Sequence, residues 1–420
     1  MTVHTNPATG VERWEHLYRD LHAHPELAFT ETRTAALVAA TMTELGFDVT
    51  TGIGRTGVVA LLRNGPGPTV ALRADTDALP VAEDTGLPYA STATTTGADG
   101  TQSALMHACG HDMHVACLIG ACEQLAATTD TWSGTIMAVF QPAEETGTGA
   151  AAMLDDGLYT KFEPPTVVLG QHLAPLPAGV IGLHPGPAFA ASDTIRITLH
   201  GRGAHGSRPE TSIDPVVMAA ATILRLQSIV SRELASRDSA VVTVGAVRAG
   251  TVANVIPDRA ELGLSVRTSD PKVRDTILAA VQRIARGEAA AAGAPRDPDV
   301  ELTGSTPAVI NDTEACERTK AALAGVSAML VDPGPVTGSE DVGMLATAAG
   351  APCVYWLLGC ADPALFAGTT TVTEIQTRIL DLPSNHSPHF APVIQPTLSH
   401  GIAALTAAAR TWLPTGQPAQ

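Results

Sequence analysis

A change of pattern in the middle of the chain most constrains the fold. Between about residues 193 and 303, the signals follow the order strand, helix, strand, strand, helix, strand, which is the order of a ferredoxin-like unit. On either side, helical periodicity alternates with short apolar runs, the pattern of an α/β sheet covered by helices. The 420 residues are enough for two domains. We therefore predict one α/β domain formed by residues 1–188 and 303–420, with an α+β domain of residues 189–302 inserted into it.

Composition and charge exclude several classes of function. Hydrophobic residues make up 45% of the chain and charged residues 16%, which is typical of a globular protein with a sizeable core. The formal net charge of -17 argues against binding nucleic acid or an anionic membrane surface, since both attract clustered positive charge. The apolar segments are too short to span a bilayer, and the first residues lack the features of a secretion signal. Six cysteines in a chain of this length do not form a disulfide scaffold, and together with the missing signal they predict a cytoplasmic protein. The charge and the short apolar segments predict that it binds neither nucleic acid nor membranes.

A cluster of metal-ligand side chains stands in residues 107–114, HACGHDMH. Cys109 and His111 would point apart on a regular helix, but Gly110 between them allows a turn that aims both side chains at one point. The N-terminus of the helix that follows favours a thiolate, and metal coordination favours it further. Thiolate and imidazole together are typical ligands of zinc and other transition metals. The sequence therefore predicts a metal site at this turn.

The residues around this turn have less specific interpretations. Asp112 is expected to cap a helix that runs to about Ala127. For His107 and His114, packing and orientation of the metal ligands are equally good interpretations. The cysteines other than Cys109 are interpreted as small buried apolar side chains.

Two adjacent acids, Glu144 and Glu145, follow an apolar strand and Pro142. Paired acids in a loop usually form a solvated surface. After a buried strand, however, both can border one cavity. One carboxylate can then bind a metal ion while the other accepts a proton from water. This division of work predicts a hydrolase, because hydrolysis needs both a metal ion and a proton acceptor.

Seven motifs occur in order along the chain: LRADTDALP (72–80), HACGHDMH (107–114), QPAEE (141–145), GAHGS (203–207), NVIPD (254–258), GSED (338–341) and HSPHF (386–390). In this order they resemble the M20 metallopeptidase clan, and in particular its amidohydrolase branch. That branch includes hippurate hydrolases, N-acyl-amino-acid amidohydrolases, N-acetyldiaminopimelate deacetylases and plant auxin-conjugate hydrolases. The resemblance covers nearly the whole chain, and seven motifs in order are far more specific than any one of them.

The resemblance implies a zinc-peptidase-like catalytic domain, with a mixed sheet flanked by helices, that holds two divalent metal ions per subunit. Cys109 would bridge the two ions, and Glu144 would be the general base that activates water. Asp75 and Asp77 would orient the metal ligands. The five implied metal ligands are Cys109, His111, Glu145, His172 and His386. Metal identity is left open among zinc, manganese, cobalt and nickel, since thiolate and carboxylate ligands suit different members of this group.

The resemblance also gives the inserted domain the roles of lid and dimerisation domain. His205 would stabilise the oxyanion, which needs a hydrogen-bond donor aimed at the developing charge. Asn254 and Arg267 would hold the carboxylate of the substrate, and a guanidinium suits that planar group. A structural ion pair is the alternative for Arg267. We expect a homodimer or a higher homo-oligomer formed through this domain.

These observations predict a metal-dependent amidohydrolase that cleaves N-acyl-amino acids, such as hippurate-like or N-acetyl compounds, with a metal-activated water. A dipeptidase or an N-acetyldiaminopimelate-type deacetylase would use the same site with a different pocket. A catalytically silent metal-binding protein is the alternative from another class. The complete set of implied ligands argues against it.

Overall fold

The structure is a computed structural model that describes residues 10–97, 100–369 and 371–415, with only the backbone of Val372. Its strands are β1 (Asp48–Ile53), β2 (Gly57–Asn64), β3 (Thr69–Asp75), β4 (Thr94–Thr96), β5 (Gln102–Ala104), β6 (Gly134–Gln141), β7 (Val167–Pro177), β8 (Val180–Gly182), β9 (Gly186–Phe189), β10 (Ala191–His200), β11 (Ala204–His205), β12 (Ala240–Ala249), β13 (Val255–Ile256), β14 (Arg259–Thr268), β15 (Asp299–Thr306), β16 (Val309–Asn311), β17 (Met329–Val331) and β18 (Cys353–Ala361). Its α-helices are α1 (Val11–Ala23), α2 (Thr32–Glu44), α3 (His111–Ala126), α4 (Gly149–Asp155), α5 (Leu158–Lys161), α6 (Pro215–Ser228), α7 (Pro271–Ala291), α8 (Thr313–Val326), α9 (Val342–Ala349), α10 (Val372–Leu380) and α11 (Ile394–Trp412).

The chain divides into two compact units. The first unit comprises the described residues up to Gly186, together with Ile310–Gly334 and the residues from Asp341 onward. The second unit comprises Pro187–Val309 and Pro335–Glu340. Among the described residues, no helix is both long enough and apolar enough to cross a membrane.

The first unit is built on a mixed eight-stranded sheet with the order β1-β2-β6-β3-β7-β18-β8-β17. Four neighbouring strands, β6, β3, β7 and β18, run parallel to one another, and β1 and β2 extend the sheet with antiparallel pairs. Every residue of β3 is buried, as expected for a parallel strand covered on both faces. The predicted α/β class with a mixed sheet flanked by helices is therefore confirmed.

Helices α1, α3 and α11 pack together over the first unit's sheet. Nearly all of α3 is buried, so this helix lies in the interior of the unit. Gly401 in α11 allows a close approach to α3, because a Cβ there would lie 2.5 Å from the sulfur of Cys117. The interpretation of Cys117 as a buried apolar side chain agrees with this packing.

The second unit contains a four-stranded antiparallel sheet with the order β12-β14-β10-β15. Along the chain the order is β10, α6, β12, β14, α7, β15, which is the ferredoxin-like succession of elements. The residues of β14 alternate between buried and partly exposed, so one face of the sheet carries the core formed with α6 and α7.

One local prediction was wrong. Asp112 does not cap α3, because Gly110 occupies the N-cap position with a left-handed backbone and the helix begins at His111. Asp112 lies inside the first turn, where its carboxylate accepts hydrogen bonds from the backbone N–H of Met113 and from the ring of His22. A side chain that is bound in this way is not available for capping.

Candidate metal centre and active site

The implied metal ligands of the first unit lie where its parallel strands deliver the chain to one edge of the sheet. β3 ends at Asp75, and β6 ends at Gln141, just before Glu144 and Glu145. His172 stands within β7, which lies beside β3. Ligand sites of α/β sheets form at the carboxyl ends of such strands, because successive loops meet there.

The turn before α3 has the geometry that the sequence predicts. Gly110 adopts a φ of +86°, and a Cβ on it would lie 2.5 Å from Cδ1 of Leu173. Only glycine fits both constraints. The turn brings the sulfur of Cys109 to 3.5 Å from Nε2 of His172.

Replacing Gly110 with alanine should therefore destabilise the protein more than a left-handed backbone alone requires. Gly46 is the matched control, since its φ is +85° and a Cβ there would have no heavy atom within 4 Å. We expect Gly46→Ala to lower the free energy of unfolding by about 1 kcal/mol. Gly110→Ala should cost about 1–2 kcal/mol more, because Leu173 must move. Urea unfolding of both metal-free variants measures the difference, and equal losses would contradict the steric argument.

The side chains of the cluster form overlapping groups whose ligand atoms lie within 4.8 Å of one another. Cys109 belongs to two of these groups, and the two glutamates share a third group with a histidine. Three of the groups are Cys109, His111 and His172; Cys109, Glu145 and His386; and His111, Glu144 and Glu145. All five implied ligands and Glu144 are thus brought together.

Two buried atoms of this cluster test whether a metal ion fits. Nδ1 of His111 donates to the backbone oxygen of Asp77 at 2.9 Å, which turns Nε2 toward the cluster. Nε2 of His111 and Oε1 of Glu145 are buried without a hydrogen-bond partner in the described part of the chain. Buried polar atoms nearly always have a partner. Two such atoms beside a thiol and further imidazoles are the donor set of a transition-metal site.

The electrostatics of the cluster favour an anionic sulfur. Burial raises the pKa of the Cys109 thiol, but the charge of His172 and hydrogen bonds with His172 and His386 outweigh it and bring that pKa to about 6. Burial also raises the pKa of Glu145, but the hydrogen bond with His386 and the charge of His111 outweigh burial. The net result is a pKa below the usual range of a glutamate. Both groups are therefore anionic at neutral pH, as metal ligands must be.

Two carboxylates hold the loop that carries Glu144 and Glu145. Oδ2 of Asp77 accepts the backbone N–H of Glu145 at 2.9 Å. Oε1 of the buried Glu31 accepts the N–H of Ala143 at 2.9 Å, and Ala143 has a left-handed φ of +53°. Glu31 is not among the site residues that the sequence predicts. Its only signal is a carboxylate at the start of a helix, which usually has a local role.

His114 makes hydrogen bonds through both ring nitrogens, which favours the orienting interpretation of this residue over plain packing. Its Nε2 accepts the backbone N–H of Leu173 at 2.9 Å, so the ring proton lies on Nδ1 and is donated to Asp75 at 2.6 Å. Burial lowers the pKa of His114 to about 4 despite the carboxylate, in agreement with a neutral ring. His114, on α3, is thus hydrogen-bonded both to Asp75 and to Leu173, the residue that follows His172.

His107 and His22 differ from this arrangement. Both ring nitrogens of His107 are buried without a hydrogen-bond partner among the described residues, and burial lowers its pKa to about 4. His22 lies between Asp112 at 2.6 Å and Glu83 at 3.1 Å. Burial lowers the pKa of His22, but the two carboxylates outweigh it and raise that pKa to about 10. The sequence alone could not predict these two partners of His22, because both lie far away along the chain.

The remaining predicted site residues lie in the second unit. His205 pairs with Val255 across β11 and β13, which places it beside Asn254, whose backbone oxygen accepts the N–H of Gly206. Nδ1 of His205 accepts the backbone N–H of Ser207 at 3.1 Å, so the ring proton lies on Nε2. Arg267, on β14, donates to the hydroxyl of Ser339.

Comparison with known proteins gives one family and several relatives. The model of peptidase family M20/M25/M40 matches residues 71–371. An N-acetyl-L-cysteine deacetylase of Bacillus subtilis (strain 168) is 37% identical over 326 residues, which are 77% of this chain and 75% of the relative. A hippurate hydrolase of Campylobacter jejuni is 38% identical over 337 residues, which are 79% of this chain and 84% of the relative.

A solved structure agrees in fold over nearly the full length. It is the YXEP protein of Bacillus subtilis, described as a dinuclear metal-binding peptidase of the M20 family. The TM-score is 0.76 at 30% identity, and the alignment covers 96% of this chain and 98% of that one.

Proposed function

Because the chain belongs to peptidase family M20/M25/M40, we propose that it is a metal-dependent amidohydrolase that cleaves N-acyl-amino acids into a carboxylic acid and a free amino acid. The family predicted from the sequence is thereby confirmed. The observation that carries the function is the cluster of thiol, imidazoles and carboxylates at one edge of the sheet, with a spare acid, Glu144, beside it. The deacetylase and hydrolase names of the relatives support an N-acyl-amino acid as the substrate.

We place two divalent ions in this cluster. Cys109 belongs to one group with His111 and His172 and to another with Glu145 and His386, so it would be shared by the two ions. His111 and His172 would complete one set of ligands, and Glu145 and His386 the other. When bound, such a pair of ions supplies a Lewis acid that polarises the amide carbonyl and lowers the pKa of water. The ligand set suits zinc, cobalt, nickel or manganese.

Glu144 is the proposed proton acceptor. Its carboxylate accepts a proton from the attacking water as the oxygen adds to the amide carbon. It then returns the proton to the nitrogen as the C–N bond breaks, which releases the amine. The backbone contacts of Glu31 and Asp77 on either side of Glu144 hold this carboxylate in place.

Three residues of the second unit complete the proposal. His205 donates its Nε2 proton to the carbonyl oxygen as negative charge develops there, since Nδ1 is already an acceptor. Asn254 and Arg267 hold the carboxylate of the substrate. The guanidinium of Arg267 already binds a neutral hydroxyl, that of Ser339, so its charge stays available for an anion.

We also propose that the inserted domain acts as a lid and dimerisation domain in a homodimer or higher homo-oligomer. β12 forms one edge of its sheet, and the backbone groups of edge strands pair readily with another strand. Val217 and Leu224 on α6 are 66% and 75% exposed. Large apolar side chains exposed on one helix indicate a contact surface. Sedimentation velocity measures the oligomeric state, and a monomer at all concentrations would contradict the proposed oligomer.

A cytoplasmic location stays a prediction of the sequence.

The experiment that tests the function is a substrate panel measured with several metals. Purified protein is stripped with a chelator and reloaded separately with zinc, manganese, cobalt or nickel. Release of amino acid is then followed for hippurate, N-acetyl-amino acids and dipeptides. We expect metal-dependent hydrolysis of an acylated amino acid and none after stripping. Preferential cleavage of dipeptides would favour a dipeptidase, and no hydrolysis by any loaded form would contradict the proposal.

A further inference from the structure

Asn385 stands directly before His386, and its side-chain amide faces acceptors from two other segments of the first unit. Its Nδ2 lies 3.2 Å from the backbone oxygen of Cys109 and 3.2 Å from the backbone oxygen of Leu173. The same nitrogen lies 3.8 Å from the sulfur of Cys109. A flipped amide would place its oxygen against two carbonyl oxygens, so the chemistry of the surroundings fixes the NH2 group inward.

The contacts of Asn385 join the three segments that carry the thiol and two of the imidazoles. Cys109 belongs to the turn before α3, and Leu173 follows His172 on β7. The next residue, His386, also binds the segment before α3, since its backbone N–H donates to the backbone oxygen of Ala108 at 2.8 Å. His386 has a left-handed φ of +72°. A non-glycine residue keeps that conformation only where its surroundings hold it.

We propose that Asn385 is a positioning residue of the metal centre, an inference that rests on the proposed function. Its amide holds the Cys109, His172 and His386 segments at one point. Its two N–H bonds face three acceptors, and the one that points to Cys109 is shared between the backbone oxygen and the sulfur of that residue. Such a bond withdraws electron density from a thiolate and so weakens its charge donation to a bound metal ion. Groups that orient ligands in this way affect metal affinity as well as geometry.

Cobalt(II) is the probe that reads the sulfur directly, because a thiolate bound to cobalt gives a charge-transfer absorption band. Asn385→Leu keeps the branched shape of the side chain but removes both N–H donors. We expect the band to move to longer wavelength, since the sulfur then holds its electrons less tightly. The sulfur would donate more charge, but the segments that carry the ligands lose their attachment, and this second effect should raise the dissociation constant for cobalt by about 10- to 100-fold. Cys109→Ser should remove the band and so identifies its source.

Asn64 provides a matched control. Its Nδ2 also bridges two backbone carbonyls, those of Thr129 at 2.6 Å and Trp132 at 2.5 Å. Asn64→Leu should therefore lower stability through the same kind of loss, while band position and cobalt affinity stay at their wild-type values. Asn385→Ala is the second variant, since it lacks both N–H donors and brings no charge to the sulfur, and it decides the question if the leucine variant does not fold.

The outcomes separate this proposal from the function itself. An unshifted band and unchanged cobalt affinity in the folded Asn385 variants would overturn the role of Asn385, and so would the absence of a thiolate band in the wild type. If the wild type shows the band and the variants shift it, yet no substrate of the panel is hydrolysed, the function fails and the role of Asn385 stands.

Discussion

Glu144→Gln should lower kcat by about 10²- to 10⁴-fold, which is the contribution of a well-placed general acid–base group. The loss corresponds to about 3–5 kcal/mol in the activation free energy. Glutamine keeps the shape of the side chain at this buried position but cannot accept the proton of water. Since Glu144 is assigned to the proton rather than to the metal, metal content should equal that of the wild type.

Glu145→Gln is the matched comparison, one residue away in the same short helical turn. Its carboxylate faces His386 at 3.3 Å and shares a group with Cys109, so this variant should lose metal. Steady-state kinetics together with elemental analysis of each variant give the two readouts. Wild-type kcat in a fully loaded Glu144→Gln protein would show that the base assignment is wrong.

Arg73→Met should lower the free energy of unfolding by about 3–5 kcal/mol, the cost of leaving buried charges without a partner. The Arg73 side chain is fully buried and lies 2.7 Å from Asp75 and 3.2 Å from Asp341. It also donates to the side-chain oxygens of Gln141 and Tyr355. Methionine fills a similar volume, so the loss reports the charge rather than a cavity.

Arg63→Met is the control for this substitution. Arg63 on β2 pairs with Asp48, and both side chains are more than half exposed, at 60% and 69%. Exposed pairs of this kind contribute less than about 1 kcal/mol. Urea unfolding followed by circular dichroism compares the two variants. Similar losses in both would mean that the carboxylates around Arg73 find other partners.

The sequence predicted the residues whose chemistry is unusual. Cys109, His111 and the adjacent glutamates stand in short motifs. Gly110 stands between two of them, where a glycine is expected because the backbone must turn. The fold class followed from periodicity, because parallel buried strands and amphipathic helices leave different patterns. The family assignment followed from the order of the motifs, which one chain seldom reproduces by chance.

What the sequence could not predict are roles defined by distant partners. Asn385 and Cys109 are 276 residues apart, and an asparagine before a histidine carries no sign of a sulfur contact. Glu31 and His22 are equally ordinary until the fold brings Ala143 and Asp112 to them. The expected cap at Asp112 failed for the same reason, since a long-range partner took the carboxylate. Hydrogen bonds between segments leave no local pattern to recognise.

The spacing of the ligands also has a consequence for the newly made chain. The Cys109 and His386 segments are joined by contacts of Asn385, and the whole second unit is synthesised between them. Contacts with such long loops form late, because the entropy of closing the loop must be overcome first. A nascent polypeptide that has not yet extended past His386 holds only part of the ligand set. With the proposed ligand set, tight metal uptake is therefore expected only at the end of folding.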